Sequence, residues 1–144
     1  PSRDELVAGQ ATGALHLLNP DDPASRKTLQ KAAEDDDPRR RRMAIATLAQ
    51  SMESDFAVTT LTGALSDPSR IVRRTVVDVA VDLEIEGVRS LLETALGDDD
   101  DWIRWKAVKG LSELGLDSSM EAVTALADDP DFQVRFEVAA ALRR

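Results

Sequence analysis

The chain has 144 residues, with 27 acidic and 18 basic side chains and a formal net charge of −9. That length suits one domain, the hydrophobic fraction of 42% is too high for a disordered tail, and no apolar run could span a bilayer. The absence of cysteine excludes disulfides and thiolate chemistry, and the single histidine excludes any site that needs two imidazoles. The acidity argues against sequence-independent binding of nucleic acids.

The two ends of the chain carry few signals. No charged-then-apolar signal segment follows Pro1-Ser2-Arg3, and we expect a cytoplasmic protein. The last residues, 141–144, lie inside an apolar helical pattern without a capping glycine. We therefore expect the chain to be a piece of a longer protein.

A short motif recurs along the chain, in which an Asp precedes an Arg by six residues and an aliphatic residue stands just before the Arg. An earlier, imperfect copy at residues 36–41 is one residue short, and 31 residues before its Arg lies a degenerate half-copy that begins at Gln10. In the three full copies the Arg-to-Arg spacing is 31 residues in both steps. These copies run over residues 67–73, 98–104 and 129–135. Such a period indicates a repeat protein.

The repeated units have the pattern of helices. Apolar residues between the motifs, as in 88–96, recur at the i, i+3, i+4 and i+7 positions of amphipathic helices. Asp-Pro pairs at 37–38, 67–68 and 129–130 predict helix N-caps that are followed by a first-turn proline. Tyr is absent and alternating Val, Ile and Thr are scarce, so strands are not predicted. The sequence predicts an all-α chain of antiparallel helix pairs.

The D-P-x-x-x-V-R segment followed by A-x-x-x-L, within a two-helix unit of about 31 residues, resembles the HEAT family of α-solenoids. More narrowly, it resembles the short bacterial HEAT-like repeats, which include the phycobilisome-lyase type. The resemblance implies an α-α superhelix of about four stacked helix pairs behind an N-terminal half-repeat, in a single domain over residues 1–144. The half-repeat covers residues 3–20, and the repeats cover about 21–52, 53–84, 85–115 and 116–144.

The resemblance also implies a structural role for the motif. The Asp is expected to cap the second helix of its pair, and the Arg to reach the Asp of a neighbouring repeat, which builds a ladder. The expected ladder residues are Asp67, Arg73, Asp98, Arg104, Asp129 and Arg135. The acidic run that begins at Asp98 lacks the Gly and Glu of a calcium loop, so we predict a helix start there and no metal site.

Four consecutive arginines, residues 39–42, fall in the first turn of a predicted helix, where cations oppose the helix dipole. The acidic run at 35–37 directly before them favours a locally paired patch. The alternative is that the cluster contacts an acidic partner or a phosphate group.

Helical geometry predicts a solvent-facing strip. At 100° per residue, the residue after each ladder Arg points about 160° away from the core-facing centre of its helix. Second helices line the concave face in HEAT-like stacks, and large aromatic and Arg side chains there are typical of interface hot spots. The predicted partner-binding residues are Arg42, Arg74, Trp102, Trp105, Lys109 and Phe136. The alternatives are that Trp102, Phe132 and Phe136 fold down over gaps between repeats, or that further repeats bury Phe136.

These observations favour a non-enzymatic protein-interaction scaffold that binds a protein or peptide in its groove. We expect no catalytic residue, no cofactor and no metal, because phosphate loops, nucleophile elbows and His-Glu pairs are absent. We also expect no membrane partner, because no apolar run could span a bilayer. The resemblance to lyase-type proteins leaves open the handling of a chromophore or small ligand, with Arg42, Arg74 and Trp105 as contacts. Some HEAT-like folds are alkylpurine glycosylases, but the net charge of −9 makes DNA binding the least favoured reading.

Overall fold

The computed structural model describes residues 15–144, in which the backbone forms eight α-helices, two short 3₁₀ turns and no strand. The 3₁₀ turns are Leu15–Leu17 and Asp117–Ser119. The predicted all-α fold class is therefore confirmed, while most of the predicted half-repeat at 3–20 lies outside the described residues. The helices are α1 (Pro23–Ala32), α2 (Pro38–Leu48), α3 (Ser54–Ala64), α4 (Arg70–Val81), α5 (Val88–Ala95), α6 (Asp101–Leu114), α7 (Met120–Thr124) and α8 (Phe132–Arg143).

The chain divides into two compact units, the first ending at Val76 and the second spanning Val77–Arg144. In the first unit α1 packs against α2, and α2 also contacts α3 and the 3₁₀ turn at Leu15–Leu17. Apolar side chains from these elements form one buried cluster, against which Phe56 of α3 is packed. The members of the cluster are Leu15, Leu29, Ala32, Ala44 and Leu48.

In the second unit α6 is the central helix, because it packs against both α5 and α8, while α7 lies against α8. Most apolar positions that the sequence places on one helix face are buried, including all of those within residues 88–96. Excluding them from water is the main stabilising contribution to this unit. Its largest buried side chains include Val88, Leu91, Leu92, Ile103 and Leu111.

Helices α1 and α2 begin in the same way. Asp22 and Asp37 are their N-caps and accept backbone N–H groups, while Pro23 and Pro38 occupy the first turn. A proline is favourable there because a first-turn N–H has no partner within the helix. The predicted N-cap at Asp37-Pro38 is confirmed.

The predicted caps in the two later Asp-Pro pairs are wrong. Helix α8 is capped by Asp131, and Pro130 precedes the helix. Asp129 lies two residues before the cap, where its carboxylate accepts the Asp131 N–H at 2.9 Å in a local turn. Likewise α4 begins at Arg70, two residues after Pro68. The motif Asp therefore builds the turn before the helix and leaves the cap to another residue.

The Asp129 carboxylate also binds Arg104 of the preceding helix pair. Arg104 donates from Nε to Oδ2 at 2.9 Å and from Nη2 to Oδ1 at 3.1 Å, while its Nη1 donates to the Asp98 carbonyl at 2.9 Å. The side chains of Arg104 and Asp129 are 14% and 3% exposed. Such a two-point pair fixes both distance and orientation between α6 and the turn that leads into α8.

The first unit repeats this arrangement. Arg41 donates to both carboxylate oxygens of Asp67 at 2.9 Å, and its Nη1 donates to the Asp35 carbonyl at 2.9 Å. Asp35 lies six residues before Arg41, so this copy of the motif begins at Asp35 and is not one residue short. Arg73 donates in the same way to the Asp67 carbonyl at 2.8 Å.

The local environment of Asp129 lowers its pKa. Burial is the largest single contribution and raises the pKa of this carboxyl group. The hydrogen bonds from Arg104 and from the Asp131 N–H, with the positive charges of Arg104 and Arg135, outweigh burial and hold the pKa below its ordinary value of 3.8. The ionised carboxylate is thus the form that stabilises the fold.

We predict that Arg104→Ala lowers the free energy of unfolding by about 3 kcal/mol, because it leaves the Asp129 carboxylate buried without its cation. Urea denaturation at neutral pH measures this change. The control is Arg39→Ala, since Arg39 pairs with Asp37 at the surface and its side chain is 76% exposed, so little change is expected. Equal costs for the two variants would contradict the structural role of Arg104.

The same pair predicts a pH dependence. Because the Asp129 pKa is lower in the folded state, its contribution to stability is complete above the ordinary carboxyl pKa and is lost as the pH falls through the folded-state value. The stability difference between the wild type and Asp129→Asn should therefore be largest near neutral pH and shrink below about pH 4. A difference that stays constant down to pH 2 would contradict the assignment.

The space around two helical glycines predicts opposite effects when a methyl group is added. A Cβ atom added at Gly110 in α6 would lie 2.7 Å from Val81 Cγ1 and 3.0 Å from Leu92 Cδ1, whereas one at Gly63 in α3 would meet nothing within 4 Å. Gly63→Ala should raise the free energy of unfolding by about 0.5–1 kcal/mol, through helix propensity. Gly110→Ala should lower it, because overpacking costs about 1–3 kcal/mol. Thermal unfolding of both variants tests whether stability rises in Gly63→Ala and falls in Gly110→Ala.

Candidate interaction site

Three of the predicted strip residues lie together on α6. The rings of Trp102 and Trp105 have centroids 6.2 Å apart and are tilted by 55°. The Lys109 ammonium lies 5.4 Å from the Trp105 ring centroid, within range of a cation–π interaction. The spacings of three and four residues place these side chains on one side of the helix.

Helix α8 carries the most exposed aromatic side chains of the described chain. Phe132 and Phe136 are 68% and 63% exposed, although their ring centroids are only 6.3 Å apart. Their spacing of four residues places them on one side of α8. Because most of each ring faces water, neither side chain serves chiefly to fill the core.

Trp105 of α6 and the two phenylalanines of α8 line an open groove of about 390 Å³, here called the aromatic groove. The structure thus brings together Trp105 and Phe136 from the predicted strip. It adds Phe132, which the sequence reading treated only as a cover for gaps between repeats. The groove is lined by Trp105, Phe132, Gln133, Phe136 and Glu137.

The other predicted strip residues lie outside this groove. Trp102 and Lys109 flank Trp105 without lining the groove. Arg42 is an exposed residue of α2 and Arg74 a half-buried residue of α4, and both belong to the first unit. The groove is formed by residues of the second unit alone.

The arginine run at 39–42 is largely paired. Arg39 lies 3.3 Å from the Asp37 carboxylate, and Arg40 lies 3.5 Å from that of Asp35. Arg41 is the residue that binds Asp67. The prediction that this run pairs with the acidic residues before it is therefore correct for Arg39 and Arg40, while Arg42 is exposed.

The groove offers apolar contact with charge at its edges. Its rings can bury an aliphatic or aromatic side chain, and the cations of Lys109 and Arg135 lie 5.4 and 5.9 Å from the Trp105 and Phe132 rings. Glu137 supplies a carboxylate to the lining.

Nowhere in residues 15–144 do three or more His, Asp or Glu side chains come close enough to hold a metal ion. Every helix of that range is too short or too polar to cross a membrane.

The exposure of the groove predicts that its phenylalanines can be removed at little cost to folding. The double variant Phe132→Ser/Phe136→Ser should lower the free energy of unfolding by under about 1 kcal/mol. Val138→Ala on the same helix should cost about 1.5–3 kcal/mol, because Val138 is 1% exposed. Urea denaturation compares the two, and a larger loss for the double variant would show that the rings belong to the core.

Comparison with known proteins supports the repeat architecture. The family model for HEAT repeats matches the chain twice, over residues 2–80 and again over residues 58–143. The two matches together span nearly the whole chain, and they do not distinguish the narrower phycobilisome-lyase type. No curated protein matches the chain.

Proposed function

The chain belongs to the HEAT-repeat family, and we propose that it is a scaffold that binds a protein or peptide partner through the aromatic groove of its second unit. One observation carries this proposal: two phenylalanines on α8 are more than 60% exposed beside a tryptophan of α6, around a single groove. Clustered aromatic side chains on a surface are typical of interface hot spots.

The physical argument rests on the cost of leaving these rings in water. Burying a Phe side chain is worth about 1.5–3 kcal/mol relative to leaving it exposed, and this gain is not realised in the unbound chain. A partner that covers Phe132 and Phe136 would realise it. The two rings already lie side by side on a regular helix, so little conformational entropy is lost when they are covered.

The edges of the groove indicate which partner surface fits. Lys109 and Arg135 place positive charge beside the Trp105 and Phe132 rings, and Glu137 places negative charge within the lining. A partner side chain that enters between the rings is therefore apolar, with polar groups on either side of it. We further propose that Trp102 lies at the rim of the same contact, and that Arg42 and Arg74 belong to the binding surface of the first unit.

Capture from a lysate of the source cell tests the proposal. We expect the wild-type chain to recover a partner that Phe132→Ser/Phe136→Ser recovers at least about tenfold less, the equivalent of losing about 1.4 kcal/mol of binding free energy. The matched control is Met52→Ser, which removes a side chain that is 88% exposed, belongs to the first unit and does not line the aromatic groove. Equal recovery by the double variant and the wild type would contradict the assignment.

A photo-crosslinking residue locates the contact independently of affinity. Gln133 is exposed and lines the groove, so a benzophenone side chain placed there should crosslink to the captured partner. The same group placed at Met52 should not. Crosslinking at Met52 and not at Gln133 would contradict the aromatic groove as the contact.

A further inference from the structure

Helices α5 and α6 border a cavity of about 150 Å³, here called the α5–α6 cavity. Gly110 lines it and lies five residues after Trp105, about 140° around the helix, so the cavity and the aromatic groove are on different sides of α6. All of the lining residues belong to the second unit. The apolar lining residues besides Gly110 are Val81, Leu83, Val88, Leu92 and Leu114.

The base of the α5–α6 cavity is apolar and closely packed. Val88 and Leu92 are buried, and a Cβ atom at Gly110 would lie 2.7 Å from Val81 Cγ1. Side chains packed this closely keep one arrangement, so the base is a preformed surface. Such a surface favours a hydrocarbon group that leaves water.

Two exposed glutamates line the same cavity and form its mouth. Glu84 lies in the connection between α4 and α5, and Glu113 lies in the last turn of α6. That connection, residues 82–87, contains three acidic residues and no basic one. Within residues 15–144 neither the Glu84 nor the Glu113 carboxylate has an ion pair or a hydrogen bond. The mouth therefore carries negative charge that no described basic side chain neutralises.

Basic side chains on the two bordering helices are engaged elsewhere. Arg89 of α5 donates to Ser119 Oγ at 2.9 Å and to two main-chain carbonyls. Lys109 lies one turn before Glu113, but its ammonium lies 5.4 Å from the Trp105 ring centroid. A cation that enters the mouth therefore meets carboxylates whose charge is still available.

The arrangement of base and mouth specifies the order of groups in a ligand. A cavity of about 150 Å³ accommodates a molecule the size of benzene, which is close to the size of a leucine or isoleucine side chain. The ligand must place such a group at the base and a cation at the mouth. A lysine or arginine side chain that enters from the mouth has the opposite order, because its charge would reach the apolar base.

We propose that the α5–α6 cavity binds the free amino terminus of a polypeptide whose first residue is apolar. The ammonium group of such a residue stands at the foot of its side chain, so the side chain fills the base while the charge stays between Glu84 and Glu113. The next peptide N–H is a further donor for the two carboxylates. A free amino acid fits less well, because its own carboxylate would lie beside them. The site is separate from the aromatic groove and independent of what that groove binds.

Leucinamide, which mimics an amino-terminal leucine, tests the site without requiring the partner. At about pH 6.5 its ammonium group is charged, because the ordinary α-amino pKa is about 7.7–8.0. Amide NMR of the isotope-labelled chain should show saturable shifts at Gly110 and Glu113, at leucinamide concentrations on the order of 1 mM. Acetyl-leucinamide lacks the charge and glycinamide lacks the side chain, so each should bind at least about tenfold more weakly.

The two carboxylates are tested by removing their charge. Glu84→Gln/Glu113→Gln should weaken leucinamide binding at least about tenfold, and thermal unfolding should show an intact fold because both side chains are exposed. The matched control is Glu86→Gln, an exposed glutamate of the same connection that does not line the cavity, and it should change the affinity less than about twofold. Retained affinity in the double variant, or equal binding of leucinamide and acetyl-leucinamide, would overturn the proposal.

Further probes separate an amino terminus from other occupants. Isopentylamine has the hydrocarbon group and the charge but no peptide group, so it should bind more weakly than leucinamide, and equal or tighter binding would assign the cavity to a small amine instead. Acetyl-lysinamide should also bind more weakly, and tighter binding would overturn the proposed order of groups. Phe132→Ser/Phe136→Ser should leave leucinamide binding unchanged. Loss of partner capture by that variant therefore concerns the aromatic groove alone, and loss of leucinamide binding in Glu84→Gln/Glu113→Gln concerns the α5–α6 cavity alone.

Discussion

The two-point bond between an arginine of one helix pair and an aspartate of the next is the interaction on which this structure depends. Arg104 and Asp129 make it in the second unit, and Arg41 and Asp67 make it in the first. Apolar burial supplies most of the stability but has no direction. The guanidinium–carboxylate pair has a fixed geometry, so it sets the register in which one repeat packs on the next. The carboxylate also closes the turn that leads into the following helix, which couples local structure to packing.

The candidate site follows from that register. Trp105 directly follows Arg104, and Phe136 directly follows Arg135, so the residues that orient the repeats also determine which side chains point away from the core. Arg104 and Asp129 hold α6 to the turn that leads into α8, and Trp105 lines one groove with the phenylalanines of α8. Two of the three rings that line the aromatic groove, Trp105 and Phe136, therefore occupy the position directly after a ladder arginine.

Much of this could be predicted from the sequence, because a period of 31 residues and a helical apolar pattern are properties of the chain itself. The helix starts were harder to predict, since Asp129-Pro130 resembles a cap and its first turn. The resemblance led us to expect the contact between Arg104 and Asp129, but only the structure shows that the same carboxylate closes a turn and leaves the cap to Asp131. The part played by Phe132 in the groove was also missed. Its distance from Trp105 depends on how α6 and α8 pack, although its spacing of four residues from Phe136 was a usable signal.

The central claim is that Arg104 and Asp129 act as one unit that orients successive helix pairs. A double-mutant cycle with Arg104→Ala, Asp129→Ala and the combined variant, followed by urea denaturation, measures their coupling directly. The account predicts that the combined variant is more stable than the sum of the single losses implies, with a coupling of more than about 1 kcal/mol. Strictly additive losses would show that the two side chains stabilise the fold independently, and would contradict the account.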